Sequence, residues 1–290
     1  MSQEIIGFIG IGVMGTGMCR NLAQKSGCTV LGADLNMQNV LALSGAGVVA
    51  STVKEIAQKA SMVFLSLPTI KEVEAVCLGE DGLANHAQSL KTIVDMSTSD
   101  AERTRALAET LQKRGLELVD APVARSRQAA NDGTLLITVG ATPEQFARVK
   151  SYLDCMGSDV LHCGPSGSGQ VFKILNNMVL VNTVHALAQA FAIAEKAGLS
   201  KALLAKSLSL GSADSFALRL TGENYLAKDV FPDKMFSTAY ALKDLRLALS
   251  LCDSLNLGND ITKLTAQKLE ASIEAGYADN YYPVMYRVIT

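Results

Sequence analysis

Short apolar runs alternate with helix-patterned segments through the first half of this chain, and the alternation stops near Cys163. The runs are IIGFIG (5–10), CTVLGAD (28–34), SMVFLSLP (61–68), KTIVDMS (91–97), LELVDAP (116–122) and TLLITVG (134–140). Each is short, nearly continuous in apolar residues and bounded by turn formers, which predicts a strand. Several intervening segments open with a capping box: Thr52 with Glu55, Thr69 with Glu72, Ser99 with Glu102, and Thr142 with Gln145. Pro143 stands at the first helical position of the last. Strand–helix alternation with apolar strands implies a mostly parallel sheet covered on both faces.

GPSGSG (164–169) marks the end of that pattern. The spacing beyond it predicts helices over 167–197, 200–209, 238–256 and 259–275. The expected fold is therefore α/β: a Rossmann-type dinucleotide-binding domain at 1–163, then an all-helical domain at 164–290. The helix from 167 would run on the order of 45 Å at about 1.5 Å per residue and join the two.

Composition narrows the function classes. The 290 residues are 49% hydrophobic without tryptophan, so the core has to be built from Ala, Leu, Val and Ile. A formal charge of −2 offers no surface for nucleic acid or for an acidic membrane. Six cysteines at 19, 28, 77, 155, 163 and 252 form no Cys-x-x-Cys pair, and there are three histidines. No metal site is expected, and the thiols are expected to be reduced in a cytoplasmic protein. The N-terminus enters a strand with no basic leader. The longest apolar region, 171–194, is interrupted by Lys173, Asn176, Asn177, Asn182, His185 and Gln189, too polar for a spanning helix.

GFIGIGVMG (7–15) supplies the first chemistry. Gly10, Gly12 and Gly15 have the G-x-G-x-x-G spacing after a strand and before a helix. Gly10, Ile11, Gly12, Val13, Met14 and Gly15 would cradle a pyrophosphate at the helix N-terminus. Asp34, ending the second strand, would accept hydrogen bonds from a ribose hydroxyl and repel a 2′-phosphate; Leu35 and Asn36 follow it, not an arginine. The expectation is NAD (NADH), with NADP disfavoured. Leu67, Pro68 and Thr98 lie at later strand ends, where open α/β sheets border their ligands, and would line the nicotinamide riboside.

GSGQVFKILNN (167–177) raises a second question, because polar groups seldom enter an apolar helix without a task. At 100° per residue Asn177 falls about 40° from Lys173 and Asn176 about 60° to the other side. His185 falls about 120° away and is expected to be structural. A lysine withdrawn from water can have its pKa lowered toward neutrality and serve as an acid or base. Lys173 is the candidate catalytic group, with Asn176 and Asn177 fixing it or holding a substrate oxygen.

Four motifs in order, FIGIGVMGTGM (8–18), DAPVARSRQAANDGTL (120–135), GSGQVFKILNN (167–177) and ALKDLRLAL (241–249), resemble those of the β-hydroxyacid dehydrogenases. This 3-hydroxyisobutyrate dehydrogenase family is related to 6-phosphogluconate dehydrogenase. The resemblance implies a Rossmann domain, a long interdomain helix, a helical domain and a homodimer or homotetramer. It implies that Lys173 is the acid/base, that Asn177 with Asn176 binds substrate, and that Lys243 lies near the cofactor. One motif departs: Ala124, Arg125 and Ser126 replace the small Ser-Gly-Gly run that offers amides to a carboxylate. The run is similar to the Gly-Arg-Thr-Ser of sulfolactaldehyde reductases, whose arginine holds the sulfonate. By that likeness Arg125, assisted by Ser126, would anchor an acid group.

The expected activity is an NAD-dependent dehydrogenase or semialdehyde reductase for a short acidic substrate, sulfolactaldehyde-like or succinic-semialdehyde-like. Tartronate semialdehyde and 3-hydroxyisobutyrate follow as alternatives. Outside this class stand an imine reductase on the same architecture, disfavoured by Lys173, and a non-catalytic dinucleotide sensor.

Overall fold

The computed structural model describes residues 3–233 and 235–289. They form two compact units, Met1–Lys173 and Ile174–Thr290.

The first unit is built on a nine-stranded sheet. Its strands are β1 (Ile5–Ile9), β2 (Thr29–Ala33), β3 (Val48–Ala50), β4 (Met62–Leu65), β5 (Thr92–Asp95), β6 (Glu117–Asp120), β7 (Val123–Ala124), β8 (Leu135–Gly140) and β9 (Gly157–Gly164). Spatial order is β3-β2-β1-β4-β5-β6-β8-β7, with β9 pairing β8. The strands from β3 to β6 are parallel; β8 runs antiparallel to β6 and β7, and β9 runs parallel to β8.

Both faces of the sheet are buried, as apolar parallel strands require. Ile6 and Phe8 of β1 enter one core cluster with Phe64, Val94 and Val119. Ile9 enters the other with Val63, Leu65, Ile93 and Leu118. The six strand-like runs of the sequence correspond to β1, β2, β4, β5, β6 and β8. The pattern missed β3 and β7, which have three and two residues, and β9, half of which is exposed and which lacks an apolar run.

Side-chain caps start many of the helices. The boxes at Thr52/Glu55 and Thr142/Gln145 form as expected. At Thr69 a simpler cap forms: its hydroxyl oxygen accepts from Lys71 N–H, one residue short of the box's amide, and its hydroxyl donates to Glu72. The box expected at Ser99 and Glu102 does not form. Asp100 caps that helix, accepting from Arg103 N–H at 2.9 Å, and Ser99 is buried with its hydroxyl on Asp95. A carboxylate one residue nearer the helix outcompetes the hydroxyl.

The longest helix, Ser168–Lys196, passes through the division between the units. By packing, the chain divides at 173/174, where the sequence had placed the change of class at 163/164. The first turns of this helix are tied to the sheet, as described below, and so belong to the first unit. By length and composition this helix is apolar enough to cross a bilayer, and half of its most apolar window is buried within the protein.

The second unit is helical: the remainder of that helix, Lys201–Leu210, Thr238–Ser254 and Asp260–Glu274, near their expected bounds. The sequence reading omitted a π-helix at Leu218–Leu226 and a 3₁₀ helix at Tyr282–Val288, whose periods differ from 3.6. Phe191, Leu218, Leu245, Leu269, Tyr282 and Met285 are among its fully buried residues. Tyrosine rings replace tryptophan: Tyr281 meets Tyr225 and Tyr282 edge-on at 4.9 and 5.1 Å between centroids. His185 is buried here, its Nδ1 2.9 Å from Thr265 Oγ1, and burial lowers its pKa. This is the structural role expected of it.

Candidate active site

The glycine turn connects β1 to helix Gly15–Lys25, and its three glycines have separate causes. Gly10 has a φ of +92°, and a Cβ there would lie 2.2 Å from the carbonyl oxygen of Ser66. On Gly15 a Cβ would lie 1.9 Å from the carbonyl oxygen of Gly10. Both are required by packing within the chain. A Cβ on Gly12 would meet nothing within 4 Å and its φ is not positive. Glycine there leaves the backbone open to close approach, as a pyrophosphate would require. Gly12 and Val13 are exposed, Ile11 is buried and Met14 half-buried. No side chain caps this helix and no acidic residue enters its first turn. Its positive end remains for an anion. The residues present fit a dinucleotide.

Asp34 stands against this turn. Its Oδ2 accepts from Ile11 N–H at 2.6 Å, and Oδ1 from Asn36 N–H at 2.8 Å and Asn39 Nδ2 at 3.1 Å. A carboxylate accepts about four hydrogen bonds, so little capacity remains beyond a ribose hydroxyl. Leu35 beside it is fully exposed.

At the ends of β4 and β5, Leu67 N–H donates to Ser97 Oγ at 2.9 Å, which joins the two loops. Leu67 and Thr98 are half-buried and Pro68 is exposed. Gln170, fully buried, continues the connection: its Nε2 donates to Ser97 O and its Oε1 accepts from Ser99 N–H, each at 2.9 Å. Asp120, also fully buried at the end of β6, accepts from Gly167 N–H at 2.7 Å and from Gln170 N–H at 3.0 Å. These bonds fix the start of helix Ser168–Lys196. Lys173 follows on it, half-buried, at the end of the first unit. Burial pushes the Asp120 carboxyl up to about 6, aided by the charge of Asp95 and opposed by the two amides.

Arg125 is not placed as expected. It adopts a φ of +86°, in the left-handed region. Its Nη1 donates to Thr134 O at 2.6 Å and Ser158 Oγ at 2.8 Å, and its Nη2 to Asp159 Oδ2 at 2.6 Å. The donors expected to meet a substrate anion are engaged by the chain's own acceptors, and an anion would have to exchange with Asp159. Ser126 is likewise occupied: its hydroxyl caps helix Arg127–Asp132 through Ala129 N–H.

In the second unit, exposed Asn176 donates from Nδ2 to Asn177 Oδ1 at 3.0 Å, and buried Asn177 donates to Asp244 Oδ2 at 2.5 Å. Lys243 Nζ lies 3.2 Å from Asp244 Oδ1 and 5.6 Å from the centre of the Tyr240 ring. Lys243 thus belongs to the asparagine network through Asp244, which the sequence reading passed over. Asp120 and Gln170 were passed over too, although all three stand inside the quoted motifs. A signal existed: a carboxylate or amide within an apolar segment has to find donors or acceptors when buried. Among the described residues no group of three or more His, Cys, Asp or Glu is placed to hold a metal ion.

Comparison with known proteins bears on the family and the fold. Residues 5–164 match the family model for the NAD binding domain of 6-phosphogluconate dehydrogenase. Residues 167–289 match that for the NAD-binding domain of NADP-dependent 3-hydroxyisobutyrate dehydrogenase. The chain is 33% identical to 2-(hydroxymethyl)glutarate dehydrogenase of Eubacterium barkeri, over 93% of this chain and 90% of that protein. It is 32% identical to 2-hydroxy-3-oxopropionate reductase of Escherichia coli, over 89% and 88%. Among solved structures, 3-hydroxyisobutyrate dehydrogenase of Mycobacterium tuberculosis with L-serine has a TM-score of 0.89 at 27% identity, covering 99% of both chains.

The position of Asp120 carries a pH consequence. Its carboxyl titrates near 6 when folded and near 3.8 when unfolded. The folded protein therefore binds the proton more tightly, and the ionised group opposes folding above about pH 6 but not below about pH 4. Asp120→Asn should gain stability relative to the parent as pH rises from 4 to 7, by on the order of 3 kcal/mol beyond any constant offset. Urea unfolding at pH 4, 5.5 and 7 measures it; a stability difference that ignores pH contradicts the assignment.

Proposed function

The chain belongs to the 3-hydroxyisobutyrate dehydrogenase, or β-hydroxyacid dehydrogenase, family, and on that premise we propose an NAD-linked enzyme for short β-hydroxy acids and their semialdehydes, with Lys173 as the proton donor and acceptor. Enzymes of this family are oxidoreductases acting on the CH–OH groups of hydroxy acids. The observation that supports this reading is the anchored helix start: Asp120 at the end of β6 and the loop after β5 hold the turn that leads into Lys173.

The nicotinamide of a bound dinucleotide supplies the hydride donor or acceptor. Gly10–Gly15 and the uncapped helix behind them hold its pyrophosphate, with Leu67, Pro68 and Thr98 beside the nicotinamide riboside. Lys173 delivers a proton to the aldehyde oxygen in reduction and removes it from the hydroxyl in oxidation. Asn177, held by Asp244, orients that oxygen, with Asn176 assisting and Lys243 paired with Asp244. Fixing substrate and proton donor in this way removes much of the entropic barrier. Asp34 favours NAD, since a 2′-phosphate would face its charge and exposed Leu35 offers no compensating cation.

The acid end of the substrate sits on the loop at 124–126. A three- or four-carbon carboxylate is the leading substrate, tartronate semialdehyde and 3-hydroxyisobutyrate included. A sulfolactaldehyde-like sulfonate depends on Arg125 leaving Asp159. Both side chains are roughly half-exposed, and such pairs contribute little to stability, so the exchange is open to a substrate anion. Ile193, Leu203, Leu210, Phe216 and Leu220 are exposed apolar residues of the second unit, which supports a homo-oligomer. We place the enzyme in the cytoplasm.

Lys173→Ala should lower turnover of NADH with a panel of acid-bearing aldehydes by at least about a hundredfold, as for loss of a general acid. Retention of the parental rate rejects the role. Asp34→Ser with Leu35→Arg should move the preference toward NADPH; an unchanged ratio of kcat/KM for the two cofactors rejects the account of Asp34. For the acid end, two variants should act in opposite directions. Arg125→Gly should raise KM for acid-bearing aldehydes more than for neutral ones. Asp159→Asn, which frees the guanidinium, should lower it. If neither discriminates between charged and neutral aldehydes, Arg125 serves the loop and not the substrate.

A further inference from the structure

Asp120, at the end of β6 and far away in the chain, accepts from the first amides of the helix that carries Lys173. We propose that Asp120 and Gln170 are positioning residues for Lys173: together they fix the rotation and height of the first turns of helix Ser168–Lys196, and so the place where the lysine ammonium works. The proposal rests on the catalytic reading of Lys173 given above.

The restraint has two parts that act in different directions. Asp120 grips the backbone: its two oxygens take the amides of Gly167 and Gln170, at 2.7 and 3.0 Å. Gln170 grips sideways through its side chain, to Ser97 O and Ser99 N–H. Thr138 adds a third hold, donating from Oγ1 to Gly169 O at 3.0 Å. The packing admits no slack. A Cβ on Gly140 would lie 2.4 Å from Asp120 Oδ1, and one on Gly169 would lie 2.8 Å from Asp120 Oδ2 and 2.4 Å from Thr138 O. Two glycines on different elements leave room for the carboxylate and for nothing larger.

The lever arm explains why this matters. Lys173 is three residues past Gln170, about 4.5 Å along the axis. An extended lysine carries its nitrogen about 8 Å from the helix axis, so a 10° rotation of the first turns moves it by about 1.4 Å. A displacement of that size can cost on the order of a hundredfold in rate. The same network reaches Leu67 through Ser97 Oγ, so the loop proposed to border the nicotinamide and the helix proposed to deliver the proton share one set of bonds.

The test is a double-mutant cycle on the full-length protein with NADH and an aldehyde acid turned over by the parent. Asp120→Asn keeps the shape and one acceptor; Gln170→Leu removes both lateral bonds and leaves Asp120 intact, so it remains informative should the first variant fold poorly. Each should lower kcat at least about tenfold, with the dissociation constant for NADH, read by fluorescence, within about twofold of the parent. Introduced into Lys173→Ala, each should change the residual rate by less than about twofold, because a residue that acts only through the lysine has nothing left to act on. As a readout independent of turnover, the rate of acylation of Lys173 by an amine-directed reagent, followed by mass spectrometry, should change in the single variants. Equal losses in the presence and absence of the lysine overturn the proposal while leaving the role of Lys173 intact. So does a parental kcat in both single variants. A parental rate in Lys173→Ala alone removes the catalytic reading and this proposal with it.

Discussion

A carboxylate that has left water is held at the end of β6 by the first amides of the longest helix, and much of the site depends on that bond. Asp120 cannot relax toward solvent, because it is fully buried, and the groups around it are backbone. The arrangement suits both partners. A helix start presents unpaired N–H groups and the positive end of its dipole, and a buried anion needs donors. Joining them satisfies each with the other, and it ties a residue near the middle of the sequence to the start of a helix some fifty positions later. The catalytic candidate then inherits a rigid base instead of a flexible hinge.

The cofactor end is built on a different principle, the absence of side chains. Gly10 and Gly15 are fixed by carbonyl oxygens of Ser66 and of Gly10 itself. Gly12 answers to nothing in the protein. Within one short turn, two glycines are required by the fold and the third leaves open space beside the backbone. Asp34, bonded to Ile11 N–H, then fixes the turn from the adjacent strand. The carboxylate proposed to meet a ribose is thus also part of the turn's own bonding, and a substitution there disturbs the turn.

Features that follow from local periodicity were legible in the sequence, and those that follow from tertiary pairing were not. Six strands, the long helix and the glycine turn announce themselves by apolar period and glycine spacing. β7 and β9 exist because β8 pairs with them, not because their residues demand a strand. The Ser99 box failed because Gln170, distant in sequence, claims the amide of Ser99, and Asp100 stands ready to cap instead. Asp244 lay unnoticed beside Lys243 because a single acidic residue on a helix reads as surface until an asparagine from another helix is seen to donate to it. The residues that bind side chain to side chain across the fold are the ones that pattern alone leaves out.

Arg125 shows the same division from the other side. Arg125 holds a φ of +86°, at a steric cost of roughly 1–2 kcal/mol. The three bonds to Thr134, Ser158 and Asp159 hold the residue in that conformation and tie the loop to β9. Half of β9 is exposed, but Val123 and Ala124 of β7 are buried, as are Ala129 and Ala130 beyond the loop, so the exposed guanidinium stands on a loop whose flanks pack into the core. Substitutions at 125 and 126, both exposed, therefore reach the outer bonds of the loop, whereas those at 123, 124, 129 and 130 reach the core.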